Sequence, residues 1–280
     1  RILDVRRMII AEDTEAREKA LEKLLPHQLK DFTEIFTAME GKTVCIRLLD
    51  PPLHEFLPQL DEVPEVAKDL GIAEEVLVRA LEQLHEFNPM LGHRGCRLGV
   101  SYPEISVMQA KAIIMAAIAV AKEGKVVKPE IMVPLISTVE ELVYLKEFIK
   151  TTADALIAEA GIKLDYKIGT MVETPRAALI GDQVGPVAEF ISYGTNDLTQ
   201  YTLGQDRLTS PLPVSDVSKP EVMGLIEQVI RSSKEHKKPV GICGEAASDP
   251  ESAQLFIDYG VTSLSVSPAL LPGLVEKLSS

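Results

Sequence analysis

Short apolar segments alternate with segments of helical periodicity from about residue 129 to the end of the chain. This alternation is typical of βαβ units, in which helices join parallel strands and cover the sheet. Two further apolar segments come earlier, and together they predict about seven strands, at 43–49, 93–98, 129–134, 166–172, 189–194, 239–243 and 262–266. A chain of 280 residues has room for one large domain of this kind, so the sequence predicts an α/β fold.

Three of the predicted strands run directly into polar side chains. Glu173 ends one of them, Asn196 and Asp197 end another, and Cys243 ends a third. Asn and Asp are ordinary turn residues, and taken alone that pair fits a turn as well as it fits a binding site. In a (β/α)8 barrel of the TIM type, however, the carboxyl ends of the strands build the active site. Three such strand ends favour a barrel over a coincidence of turns.

Helical periodicity predicts most of the remaining elements. Residues 4–38 predict two helices separated at Pro26, because an internal proline removes a backbone donor and clashes with the preceding turn. Thr138, with Glu141 three residues later, predicts a capping box at the start of a helix. The acidic, leucine-rich stretch at about 59–88 predicts a helical insertion that carries no catalysis.

Three arginines indicate where an anion could bind. Arg47 lies inside the apolar segment 43–49, and a buried arginine is rare unless it is paired or bound to an anion. Either a structural salt bridge to Asp50 or a ligand contact explains its position. Arg94 and Arg97 lie between glycines, where they form either a basic binding loop or a surface pair of charges.

Charge and cysteine content restrict the partners and the compartment. The formal net charge of −13 argues against a nucleic-acid-binding surface, which would need clustered Lys and Arg. Three scattered cysteines without a CxxC pair predict a reducing, cytoplasmic compartment rather than a disulfide scaffold. The helix predicted over 106–122 has its most apolar run at 110–121, which is interrupted by Lys111 and too short to span a bilayer. No membrane partner is expected.

Five stretches of the sequence carry a family resemblance: IRLLDPPLHEF at 46–56, GHRG at 92–95, GTMVE at 169–173, GTNDLTQ at 194–200 and GICGE at 241–245. They resemble the carboxy-terminal domain of the pyruvate phosphate dikinases, a family of phosphoenolpyruvate (PEP)-utilising enzymes. The resemblance covers nearly the whole chain. It implies a single (β/α)8 barrel domain over residues 1–280 that interconverts PEP and pyruvate, and whose first strand lies upstream of Arg1.

The resemblance also implies roles for individual residues. Glu173 and Asp197 would hold Mg²⁺, which favours one or two carboxylates together with substrate oxygens. Arg47 and Arg94 would bind phosphate or carboxylate oxygens. Cys243 would be the general acid–base that exchanges a proton with C3 of the enolate. The other substrate-binding residues that the resemblance implies are Asp50, Thr195, Asn196, Asp197, Arg207 and Gly244.

The family has partners that this sequence does not contain. The phosphoryl group would pass to or from a histidine on an upstream domain of a longer chain, which would also carry a nucleotide-binding domain. None of the five histidines lies in the family's phosphohistidine motif, so residues 1–280 alone are not expected to run the full reaction. The resemblance also implies a homodimer formed through the barrel.

Departures from the family pattern leave alternatives open. Val266 stands where the dikinases have a second cysteine, and residues 201–207 resemble enzyme I of the sugar phosphotransferase system. The chain is therefore a dikinase barrel, a PEP synthase or enzyme I-like barrel, or a catalytically silent barrel used for dimerisation or ligand sensing. Cys243 favours an enzyme, since a silent barrel has no chemical need for a strand-end thiol beside two carboxylates.

Overall fold

The computed structural model describes residues 1–85, 88–206 and 217–279. The chain divides into two compact units. Unit 1 comprises residues 1–131 and 145–166, and unit 2 comprises residues 132–144 and 167–280.

The described residues form a sheet of six strands: β1 Thr43–Arg47, β2 Lys128–Val133, β3 Lys167–Val172, β4 Ile191–Gly194, β5 Val240–Cys243 and β6 Ser263–Ser265. The strands lie in the sheet in chain order, and β3 to β6 pair in parallel. Each strand corresponds to a predicted segment. The predicted α/β fold with a parallel sheet is therefore confirmed.

Helices connect the strands. In chain order they are α1 Ile2–Ile10, α2 Thr14–Ala38, α3 Val63–Leu70, α4 Glu74–Leu84, α5 Cys96–Ser101, α6 Pro103–Lys122, α7 Val139–Ala160, α8 Pro175–Leu179, α9 Gly181–Val184, α10 Thr195–Leu203, α11 Pro220–Glu235, α12 Pro250–Tyr259 and α13 Leu271–Leu278. The capping box predicted for α7 is confirmed. The Thr138 N–H donates to Glu141 Oε2 at 2.9 Å, and the Glu141 N–H donates to Thr138 Oγ1 at 3.3 Å.

The strand predicted at 93–98 is wrong, because this segment leads into helix α5. Gly95 has φ +58°, a conformation that favours glycine, and it directly precedes the helix. Within α5, Gly99 approaches α6 so closely that an added Cβ would lie 2.8 Å from Ser106 Oγ. The sequence shows apolar side chains in this segment, but packing against α6 selects a helical turn.

Pro26 does not separate two helices, because α2 continues through it. The break between α1 and α2 lies at Asp13, whose side chain accepts a hydrogen bond at the start of α2. Pro26 and Glu22, whose carbonyl loses its helical donor, are both exposed, so water can satisfy that carbonyl. On the opposite side, Leu21 and Leu24 are buried, and α2 packs against α6. Tertiary packing therefore holds the helix together across the proline.

Helix α6 is long and apolar enough to cross a membrane, and no other helix in the described part of the chain is. The prediction that this apolar run is too short is wrong, because α6 has 20 residues. However, 67% of the apolar stretch is buried inside the protein. The core helix of a globular unit has the same length and composition, so α6 is weak evidence for a membrane span.

Helices α3 and α4 confirm that the stretch at 59–88 is helical, within the residues described there. Val63, Val66, Leu70 and Leu77 bury their side chains in a small apolar cluster. These helices therefore have a stabilising apolar face, as the amphipathic pattern predicts.

Unit 2 places alternate side chains of β4 and β5 on opposite faces of the sheet. Tyr193 and Ile242 are fully buried, and the Tyr193 hydroxyl donates to the carbonyl of Ile226 in α11 at 3.0 Å. Burial raises the pKa of Tyr193 well above its usual value, so this hydroxyl keeps its proton. Gly194 and Cys243, the next residues along each strand, therefore face the other side of the sheet.

Asp249 caps helix α12 and makes the stability of this helix depend on pH. Its Oδ2 accepts a hydrogen bond of 2.9 Å from the Ser252 N–H, and this bond holds the pKa of the carboxyl below its usual value. A group whose pKa is lowered in the folded state stabilises the fold above its unfolded pKa of about 3.9. That stability is lost as the pH falls through the folded pKa.

We expect Asp249→Ala to lower the free energy of unfolding by about 1 kcal/mol at pH 7, because the cap is lost. The loss should be smaller near pH 3, where the parent carboxyl is already partly protonated. Denaturant unfolding at the two pH values measures both effects. Asp249→Asn keeps a capping oxygen and serves as the control, with little dependence on pH. Equal losses for Asp249→Ala at both pH values would contradict the assignment.

Candidate active site

The carboxyl ends of β3, β4 and β5 bring predicted site residues together in unit 2. Val172 is in register with Tyr193, and Gly194 is in register with Cys243. Glu173 follows Val172 and therefore lies beside Gly194, while Cys243 lies on the other side of that glycine. The order along this edge of the sheet is Glu173, Gly194, Cys243.

Glu173 is a buried carboxylate, only 1% exposed, directly after β3. Its Oε1 accepts a hydrogen bond of 2.8 Å from the backbone N–H of Leu135. Its other side faces Gly194, where an added Cβ would lie 2.9 Å from the Cβ of Glu173 and nearer still to Oε2. A larger residue at position 194 would therefore displace this carboxylate.

Polar side chains that follow β4 hold the turn that follows β5. The Thr195 hydroxyl donates to the carbonyl of Cys243 at 2.8 Å. Asn196 Oδ1 accepts from the Glu245 N–H at 3.2 Å. Gly244, between them, has φ +105°, and an added Cβ would lie 3.0 Å from Asn196 Oδ1. These contacts fix the backbone on both sides of the Cys243 thiol.

The Cys243 thiol is half-buried and makes a defined hydrogen bond. Its Sγ donates to the carbonyl oxygen of Tyr193 at 3.1 Å. Because a carbonyl oxygen can only accept, the thiol proton lies in this hydrogen bond. The side chain also packs against the buried cluster of Met132, Met171 and Phe190. A protonated thiol at a strand end can serve as a general acid.

Glu173 and Asp197 carry the carboxylates that could hold Mg²⁺. Asp197 is partly buried in the first turn of α10, three residues after Gly194. Among the described residues, no group of three or more His, Cys, Asp or Glu side chains could hold a metal by itself. Mg²⁺ needs fewer protein ligands than that, because it commonly binds one or two carboxylates and completes its shell with substrate and water oxygens. A buried carboxylate is also stabilised by a cation, so this donor set fits Mg²⁺.

Unit 1 brings Arg47, Asp50 and Arg94 together. Arg94 Nη2 donates to Asp50 Oδ2 at 2.6 Å, and Arg47 Nη1 lies 3.5 Å from the same oxygen. Asp50 is buried, whereas the Arg47 side chain is 43% exposed, so the expectation that Arg47 is buried is wrong. Alternate residues of β1 are exposed, which means that one face of this strand is not covered.

The ion pair of Arg47 with Asp50 is the structural alternative that the sequence left open. It is compatible with a ligand contact, because a guanidinium group has five N–H donors. Asp50 accepts from one arginine and lies close to the other, so it sets the orientation of both. A carboxylate is itself a poor partner for an anionic ligand.

The structure distinguishes Arg97 from Arg94 and adds a residue that the sequence did not suggest. Arg97 Nη1 donates to the carbonyl of Gly92 at 2.7 Å, so it shapes the loop that carries Arg94. Arg207 lies outside the described residues.

Leu135 contributes a backbone N–H to Glu173, and its only signal in the sequence is its position shortly after a predicted strand.

A protein-family model described as "PEP-utilising enzyme, PEP-binding domain" matches residues 4–279. The pyruvate, phosphate dikinase of Rhizobium meliloti (strain 1021) is 47% identical over 97% of this chain and 32% of that protein. The chloroplastic pyruvate, phosphate dikinase of Mesembryanthemum crystallinum is 45% identical over 97% of this chain and 31% of that protein. The chain thus spans about a third of the length of these curated relatives.

Among solved structures, a citrate lyase from Burkholderia xenovorans LB400 matches with a TM-score of 0.50 and 16% identity, over 89% of this chain and 72% of that chain. At this identity the likeness concerns the fold alone. The family model, in contrast, covers almost every residue and includes all the predicted site residues. The chain belongs to the family of PEP-utilising enzymes, whose PEP-binding domain it matches.

Proposed function

We propose that this chain is the PEP- and pyruvate-binding domain of a pyruvate phosphate dikinase. The observation that carries the proposal is the order Glu173, Gly194, Cys243 along one edge of a parallel sheet. The 47% identity to a pyruvate, phosphate dikinase supports it. We further propose that residues 1–280 belong to a (β/α)8 barrel domain, of which the six described strands form part and whose first strand precedes Arg1.

The proposed half-reaction moves a phosphoryl group and a proton. From PEP, the bond between phosphorus and the enol oxygen breaks, and the phosphoryl group passes to a histidine of an upstream domain. The remaining enolate takes the thiol proton of Cys243 at C3 and becomes pyruvate. In the reverse direction the thiolate removes a C3 proton, and the enolate oxygen attacks the phosphohistidine. The hydrogen bond from Cys243 to Tyr193 supports this role, because it holds a transferable proton at the strand end.

The other residues divide into ligand-holding and orienting groups. Glu173 and Asp197 would hold Mg²⁺, which supplies positive charge beside the enolate oxygen when it is bound. Arg47 and Arg94 would bind substrate oxygens with planar pairs of donors. Asp50 would orient the two arginines. The remaining proposed substrate-binding residues are Thr195, Asn196, Asp197, Gly244 and Arg207, which lies outside the described residues.

The proposal includes partners beyond residues 1–280. The chain spans about a third of its curated relatives, which supports upstream phosphohistidine and nucleotide-binding domains in a longer chain. We propose a homodimer formed through the barrel, as the family resemblance implies; Leu270, Leu271 and Val275 at α13 are exposed apolar side chains. We propose a reducing, cytoplasmic compartment, as the three scattered cysteines without a CxxC pair predict.

Arg47→Lys tests the proposed substrate contact. It is expected to weaken PEP binding about tenfold, because an ammonium group cannot offer two parallel donors to one anion. Titration calorimetry of PEP in the presence of Mg²⁺ measures the change. Arg79→Lys, the same substitution on the exposed part of α4, is the matched control and should bind like the parent. If a folded Arg47→Lys protein binds PEP as tightly as the parent, Arg47 does not contact the substrate and its role is the ion pair with Asp50.

A further inference from the structure

Leu135 has a backbone conformation that leucine rarely adopts. Its φ is +56°, and among the described residues Lys237 is the other non-glycine residue with positive φ. In this region the Cβ of an L-residue crowds the backbone, so the conformation is unfavourable unless the surroundings impose it. The Leu135 side chain is fully buried, but burial of a side chain does not require a left-handed backbone. Another contact must explain the conformation.

The left-handed backbone of Leu135 is accompanied by a hydrogen bond from its N–H to Glu173. The Leu135 N–H donates to Glu173 Oε1 at 2.8 Å. The second carboxylate oxygen, Oε2, lies on the side of Gly194. The hydrogen bond therefore fixes the rotation of the carboxylate and decides which oxygen faces the neighbouring strand.

The residues around Leu135 hold it in place. We define residues 134–138 as the strap. The Thr174 hydroxyl donates to the carbonyl of Ile136 at 2.9 Å. The N–H groups of Ser137 and Thr138 both donate to Glu141 Oε2, at 2.6 and 2.9 Å. Contacts with Thr174, shortly after β3, and with Glu141 at the start of α7 thus fix the strap directly after the strained residue, and such surroundings allow a sparsely populated conformation to persist at a functional site.

We propose that Leu135 is a positioning residue for Glu173, whose left-handed backbone directs an N–H to Oε1 and presents Oε2 to a divalent cation. This inference rests on the proposed function, because it takes Glu173 to be a ligand of Mg²⁺. Leu135 does not touch the cation. It acts through the orientation of the carboxylate, as residues that hydrogen-bond to metal ligands commonly do.

Two substitutions separate the backbone effect from the loss of the side chain. Leu135→Gly and Leu135→Ala both remove the buried side chain, but glycine adopts positive φ readily and alanine does not. We expect Leu135→Ala to bind Mn²⁺ with oxalate, a mimic of enolpyruvate, about tenfold more weakly than Leu135→Gly. Titration calorimetry and the electron paramagnetic resonance of Mn²⁺ measure binding without reference to catalysis.

Lys237 provides the matched control, because it has φ +54°, is exposed and lies just beyond the end of α11. Lys237→Gly and Lys237→Ala should differ in thermal stability in the same order as the Leu135 pair but should bind Mn²⁺ alike. If either Leu135 variant fails to fold, replacing the amide at 135 by an ester keeps the leucine side chain and removes only the N–H. That change is expected to weaken Mn²⁺ binding about tenfold.

The outcomes distinguish the inference from the proposed function. Equal Mn²⁺ affinity of Leu135→Gly and Leu135→Ala, or parental affinity of the ester, would overturn the positioning role while leaving the metal site intact. If the parent protein binds oxalate no better with Mn²⁺ than without it, both the metal site and the positioning role are overturned. Tighter binding by glycine than by alanine at 135, without that difference at 237, would support the inference.

Discussion

Cys243→Ser is expected to slow the exchange of pyruvate C3 protons with solvent by at least about 100-fold in the full-length protein. The reason is that exchange requires a group that gives and takes a proton at C3, and a serine hydroxyl is far less acidic than a thiol. In the structure, the Cys243 thiol holds a transferable proton, which it donates in a hydrogen bond to the Tyr193 carbonyl. Proton nuclear magnetic resonance of pyruvate in D₂O, with Mg²⁺ and phosphate present, measures the exchange rate.

The same variant separates proton transfer from binding. Metal-dependent oxalate binding should persist in Cys243→Ser, because oxalate has no proton to exchange and Cys243 is not a proposed metal ligand. Cys45→Ser is the matched control, since Cys45 is exposed on β1 and plays no proposed role. Its exchange rate should equal that of the parent. C3 exchange at the parental rate in Cys243→Ser would assign the proton transfer to another residue.

Glu173→Gln is expected to reduce metal-dependent oxalate binding by at least about 100-fold, a larger loss than removal of an orienting contact. The substitution keeps the size of the side chain and an oxygen that can accept from the Leu135 N–H, but it removes the negative charge that a hard cation needs. Calorimetric titration of oxalate with and without Mg²⁺ measures the effect. The prediction fails if the dependence on Mg²⁺ is unchanged.

Glu189→Gln is a control for the loss of a carboxylate that accepts a backbone hydrogen bond, at a site that is only partly buried. Glu189 Oε2 also accepts a backbone hydrogen bond, from the Ile168 N–H at 2.8 Å, but it lies near the amino end of β3. Both variants keep one amide oxygen as an acceptor, so each should retain its backbone hydrogen bond. Only Glu173→Gln should alter metal-dependent binding, because the carboxyl ends of the strands carry the proposed site.

Loss of the Glu173 charge and misorientation of its carboxylate by changes at Leu135 should weaken Mn²⁺ binding to different extents. Removing its charge eliminates a ligand, whereas changing Leu135 only misdirects one. A larger effect of Leu135→Ala than of Glu173→Gln on Mn²⁺ binding would indicate that the strap does more than orient the carboxylate. The expected order, with Glu173 dominant, follows from the direct contact that a ligand makes with the cation.

Sequence periodicity located most of the elements because the responsible interactions are local. The strands β2 to β6 correspond to predicted apolar segments, and the capping box at Thr138 follows from residues three positions apart. The polar residues at the strand ends, including Glu173 and Cys243, follow from the same alternation. Family resemblance suggested the proposed chemical roles of these positions, which the pattern of hydrophobicity alone does not contain.

Tertiary packing decided what these local patterns left undetermined. The segment at 93–98 leads into a helix because Gly99 packs closely on α6, and α2 passes through Pro26 because its other face is buried. Arg47 is exposed because one face of β1 is uncovered. The strained conformation of Leu135 accompanies a hydrogen bond that its N–H donates to Glu173, a residue distant in sequence. Burial and backbone strain are properties of neighbours in space, so the sequence determined which residues end the strands, and the fold alone determined how Glu173 and Cys243 are held.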